Sequence, residues 1–154
     1  MKKRYNQGST MVSSLIVVLL LLSVIGIVLS IAASYHRRSL NEYARKQAYL
    51  NATYVAESIA GQLNDEQNSA TFLPISQSDV VKITDVKLPV QEDSAKVTAQ
   101  ISFDSKNTSV IYIQVQSQYA SISQEVQLIM RLYQDKWYKW GYTDIGEEYN
   151  ANQK

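Results

Sequence analysis

An uncharged run of 24 residues, Met11 to Ser34, limits what this chain can fold into more than anything else in it. Leu, Ile and Val predominate there, and Gly26 is its one glycine. As a helix the run reaches about 36 Å, enough to cross a hydrocarbon core of about 30 Å with some tilt. The chain then turns amphipathic from His36 to about Leu63, with no proline at the junction. The pattern predicts one long helix, apolar in its first half and amphipathic in its second, that carries a small domain. Roughly 115 residues beyond Arg38 leave room for one such domain.

Three origins fit the apolar run. A cleaved secretory signal needs a shorter apolar core and a small-residue site, for which Ser30-Ile31-Ala32 would serve. A plain signal anchor fits the length, but charge orients it poorly. Lys2, Lys3 and Arg4 precede the run, while Arg37, Arg38, Arg45 and Lys46 follow it. The third origin rests on where the basic leader stops. Lys2-Lys3-Arg4 leads to Gly8, which stands directly before Ser9-Thr10-Met11-Val12 and the apolar run.

In that leader and helix the chain resembles the type IV pilin and pseudopilin superfamily. Such precursors carry a short basic leader ending in glycine, cut by prepilin peptidase on the cytoplasmic face. The resemblance implies cleavage between Gly8 and Ser9. A second match lies at Gln47 to Ser58, where Ala48-Tyr49 and Ala52 through Ala56-Glu57 look like a helical stretch of minor pilins. The likeness covers roughly residues 1–63. It implies assembly through Met11, Val12, Ser13, Ser14, Leu15, Val18 and Gly26 against other pilin-like subunits. An assembly platform membrane protein is the further partner. The implied address is the cytoplasmic (inner) membrane, single-pass with the N-terminus inside, and a surface filament after assembly. The implied role is a minor subunit in a secretion, adhesion, motility or DNA-uptake machine. The rival is a bitopic membrane protein that does not assemble and carries a small extracytoplasmic binding domain.

One position departs from the family. Most pilins carry glutamate at the fifth residue after cleavage, where it is thought to meet the amine of a neighbouring subunit. Here that residue is Ser13, followed by Ser14. A buried carboxylate without a partner is costly, so its absence suits a tip-like subunit that docks onto no earlier one. Alternatively, the two hydroxyls simply bond back to the preceding helical turn.

The helix's second half predicts a buried stripe of Leu40, Ala44, Ala48, Ala52, Val55, Ala56, Ile59 and Leu63, with Glu57 solvated at its edge. Asn64 to Ser69 reads as an exit loop. Beyond Pro74 the period changes to two. Strands are expected at Asp79 to Leu88, at Ala95 to Phe103 and around Ile111, Ile113 and Val115. A fourth is expected at Val126, Leu128, Met130 and Leu132, and a fifth at Trp137 to Tyr142. Asp104 to Asn107 forms a turn. The expected class is α+β, with the helix laid on an antiparallel meander of four to five strands, one face packed on it and the other in water. The expected divisions are leader 1–8, apolar helix 9–34, amphipathic helix 35–64, loop 65–78, sheet domain 79–143 and polar tail 144–154.

Chemistry is sparse. Fifteen basic and 14 acidic residues give a net charge of +1, so no global field draws nucleic acid. No cysteine and a single histidine, His36 beside Arg37 and Arg38, provide neither a zinc nor a thiol constellation. Asp144-Ile145-Gly146-Glu147-Glu148 lacks the alternating ligands of a calcium loop. No phosphate loop or nucleophile motif appears, and neither enzyme activity nor a cofactor is expected. The sharpest surface candidate is Lys136, Trp137, Tyr138, Lys139 and Trp140. Interleaved cations and aromatics can stack bases and neutralise phosphates of DNA. The competing reading is an edge strand whose aromatics alternate between core and surface.

Overall fold

The structure, a computed structural model, describes residues 5–65, 69–84, 86–88 and 95–143, with the side chains of 5–10, 69 and 70 left aside. Helix α1 spans Tyr5–Gln62 in one unbroken run of 58 residues. A one-turn helix α2, Ser69–Phe72, follows inside the segment expected to be loop. Then come β1 (Val80–Ile83), β2 (Ala95–Phe103), β3 (Val110–Tyr119), β4 (Ile122–Tyr133) and β5 (Lys136–Thr143). The chain divides into two compact units between Glu42 and Tyr43.

In the first unit α1 is the one element described. From Met11 to Ile31 its large apolar side chains are 51% to 78% exposed. Their length and composition make this the one helix among the described residues able to cross a membrane. The hydroxyls of Ser14, Ser23 and Ser34 donate to the carbonyls of Met11, Leu19 and Ser30, each at 2.9 Å. Those bonds satisfy the polar atoms without a partner chain, as an apolar medium demands.

In the second unit the five strands form one antiparallel sheet in the order β1-β2-β3-β4-β5. The end of α1 lies on one face of it. Ala48, Ala52 and Ala56 are fully covered, and Val55, Ile59, Ala60 and Leu63 join them in the core. Small side chains bring the helix close to Ile101, Ile111, Ile113, Val115, Leu128 and Met130, all at most 2% exposed. Leu40, expected in this stripe, is 54% exposed, and cover begins only at Ala44.

Two strands differ from expectation. β1 has four residues, because its pairing with β2 lapses after Ile83 meets Ala99. The Val86 amide still reaches the Val97 carbonyl at 3.4 Å, a one-residue slip from the earlier register, which would set Val86 opposite Lys96. A slip of one turns side chains to the opposite face, so the regular strand stops there. The outer face is also less wet than alternation implies. Val110, Gln127 and Ile129 are at most 5% exposed on it. Their register partners Arg131, Gln114 and Tyr112 are long side chains of the kind that lie across a neighbour.

The hairpins are tight. β3 turns into β4 through Ala120-Ser121, with Ala120 at φ 53°, and β4 turns into β5 through Gln134-Asp135, at φ 49° and 59°. Two successive positive φ values match a type I′ turn, whose twist suits paired strands. Between β2 and β3 the Asp104 amide donates to the Val110 carbonyl at 2.9 Å, closing the predicted turn.

Candidate functional site

The residues singled out by sequence fall in two places, one in each unit. Met11, Val12, Leu15 and Val18 are 78%, 61%, 62% and 54% exposed along the apolar half of α1, beside exposed Ser13 and Ser14. A Cβ built on Gly26 would meet nothing within 4 Å, so no described residue packs against that glycine. The backbone at Gly8 and Ser9 is helical, since α1 begins at Tyr5. Lys2, Lys3 and Arg4 lie outside the described residues, as does the segment 144–148.

The second place is the β4–β5 hairpin, and there the sheet splits the Lys136 to Trp140 segment between two faces. Trp137 faces the core at 7% exposure and packs at 6.4 Å from Phe103. Tyr138 pairs with Arg131 on the outer face, next to Lys136 opposite Tyr133. Beyond them Lys139 opposes Met130 and Gly141 opposes Ile129, which leaves Trp140 as an extra residue in a β-bulge. The bulge re-aims the side chains beyond it. Tyr142 would point outward in an unbroken strand, but it opposes Leu128 on the helix-facing side.

Two inward polar groups thereby meet one carboxylate. The Lys139 ammonium and the Tyr142 hydroxyl both donate to Glu57 Oε1, the latter at 2.7 Å. The Lys139 bond, followed by the Tyr142 bond, holds the Glu57 carboxyl below its ordinary value. Burial, reinforced by the same bond, pushes the Tyr142 phenol up. Glu57, expected to be solvated at the edge of the stripe, is instead held by these two groups, because alternation brings Lys139, and the bulge Tyr142, to the helix-facing side. Nearby, the Asn64 side chain accepts from the Trp137 amide at 2.8 Å and donates to the Trp137 carbonyl at 2.7 Å. One amide replaces a missing neighbour strand at the sheet's edge.

On the outer face, Arg131 sits 5.7 Å from the Trp140 ring centre, and Tyr133 meets Tyr138 edge-on at 6.3 Å. Sequence reading missed Arg131 and Tyr133, which the register brings to Trp140 and Tyr138. A separate groove of about 310 Å³ between α1 and β1 is lined by Val55, Ile59, Phe72, Ile83 and Lys87 among others. Tyr54, Ser58, Gln62 and Thr84 bring polar groups to the same groove. Among the described residues no three acidic or histidine side chains are placed to hold a metal ion.

No family model, curated protein or solved structure matches the chain.

Proposed function

We propose that the chain is a minor pilin-like subunit, anchored in the cytoplasmic membrane and drawn into a filament by its N-terminal helix. The observation that carries this reading is the continuity of α1. One helix holds an apolar span whose large side chains are more than half exposed and also the stripe on which the sheet packs. A plain anchor needs only the apolar span, whereas a subunit stacked by its helix also uses the amphipathic continuation that carries its domain. Exposed Leu, Ile and Val from Met11 to Ile31 would face lipid before assembly and neighbouring helices after it. With the N-terminus inside, the sheet domain stands outside the membrane. Ser13, in place of a carboxylate, suits a tip-like position.

The bitopic rival also has an observation in its favour. α1 runs helically through Gly8 and Ser9, and a bond held in a helix is a poor protease substrate. Cleavage separates the two readings. In cells with active prepilin peptidase, the wild-type chain should lose residues 1–8, and Gly8→Glu should remain full-length and stay out of sheared filaments. Mass spectrometry of the membrane-extracted protein decides it. An intact Met1 on the wild-type protein would sink the pilin-like reading and leave the rival.

A further inference from the structure

The outer face of the β4–β5 hairpin gathers five side chains that serve neither the anchor nor the core. Arg131 and Tyr133 come from β4, and Lys136, Tyr138 and Trp140 from β5. The register sets Arg131 against Tyr138 and Tyr133 against Lys136, so cation and ring alternate across the hairpin as well as along it. Tyr133, Tyr138 and Trp140 are 63%, 52% and 53% exposed. A sheet that buries Trp137 on its other face leaves these three rings half in water, where their apolar area is poorly used.

We propose that this face binds single-stranded nucleic acid, with Tyr138 and Trp140 as stacking surfaces and Arg131 and Lys136 against the phosphates. Charge selects the ligand class. A neutral glycan would use the rings but has no need of the cations. A phosphate polymer without bases would use the cations but not the rings. A duplex hides its base faces inside its own stack, which leaves only its phosphates to bind. Among the described residues the acids near the cluster are Asp135 in the hairpin turn and Asp104, which the turn sets beside Val110, the register partner of Arg131, and which accepts from the Tyr112 hydroxyl at 3.4 Å. Lys139 belongs to the other face, held by Glu57, and takes no part. The inference needs the exposed hairpin but not assembly into a filament, so it can fail while the pilin-like reading stands.

The test is fluorescence anisotropy of labelled oligothymidylate, about 20 nucleotides long, titrated with the full-length protein in zwitterionic detergent. Saturable binding should weaken as salt rises. Trp140→Ala, Tyr138→Ala and Arg131→Ala should each weaken it about tenfold, the size expected for one lost stacking or phosphate contact. Trp140→Phe should restore most of the Trp140→Ala loss, since it keeps an aromatic face. Lys96→Ala, on the outer face of β2, should bind like wild type, and near-UV circular dichroism checks that each variant is folded. Equal affinity for a duplex or for polyphosphate would overturn the proposal. So would folded ring variants that bind like wild type, an absence of binding, or capture by anionic vesicles in preference to the oligonucleotide.

Discussion

Apolar side chains meet opposite fates in the two units. Val18 and Leu22 on the first half of α1 are 54% and 59% exposed, whereas Ile113 and Leu128 in the sheet are at 0%. The chemistry is the same, and burial differs because the sheet and the end of α1 cover each other while the apolar half of the helix is covered by none of the described residues. At about 25 cal/mol per Å² of apolar surface, leaving so many residues in water is untenable. The first unit therefore has the length and composition of a membrane anchor. The second holds its own apolar core.

That contrast can be broken at its strongest point. Ile113→Ala should destabilise the sheet domain by about 2–5 kcal/mol, since a fully covered site relaxes poorly around a cavity. Val18→Ala should leave the domain's unfolding unchanged. Denaturant titration of both proteins in detergent measures the difference, and equal losses would mean that α1's apolar half is buried against the domain after all. Next in size is Val18→Arg, which should cost about 2.5–3.5 kcal/mol of membrane insertion while the sheet still folds. Carbonate extraction separates inserted from peripheral protein. A variant that inserts like wild type would remove this segment as the anchor.

A smaller effect probes how the second unit closes its edge. Asn64→Ala strips two hydrogen bonds from the Trp137 backbone and should cost about 1–2 kcal/mol. Asn64→Asp keeps the acceptor for the Trp137 amide and should lose less. Hydrogen exchange at the Trp137 amide gives the local reading, and unchanged protection in Asn64→Ala would mean that the amide bridge holds nothing.

The smallest effect is electrostatic. Glu57 has a folded-state pKa below its ordinary 4.5, so the clasp contributes stability above that value and loses it as pH falls through the folded pKa. The carboxylate side chain is 43% exposed, and solvent and salt screen it. A modest drop in melting temperature below about pH 4.5 should thus be absent in Glu57→Gln and reduced by added salt. An identical acid response in Glu57→Gln would assign the drop to other carboxylates.

Much of this was legible in the residues themselves. Ala95 to Phe103 alternates cleanly because one of its faces is buried, and β2 has those same limits. The small-residue stripe from Ala44 to Leu63 marks the helix face the sheet covers. Asp79 to Leu88 misled, because an edge strand has one partner to hold its register and a single slip ends it. In the Lys136 to Trp140 segment, alternation split the aromatics between core and surface, and the register decided that Trp137 turns inward. Nothing local marked Trp140 as a bulge.

The sequence alone determined the properties that depend on neighbours a few residues away: a membrane-length apolar helix, its amphipathic continuation and a meander joined by short turns. Local periodicity and chain length suffice for these. Tertiary structure decided everything that rests on pairing across the chain. Glu57 finds Lys139 and Tyr142 from 82 and 85 residues away, and Asn64 finds Trp137 from 73. Their meeting depends on the register of β4 with β5 and on one extra residue in it. A bulge reverses every side chain beyond it, so which face Tyr142 occupies is a property of the pair of strands and not of either one.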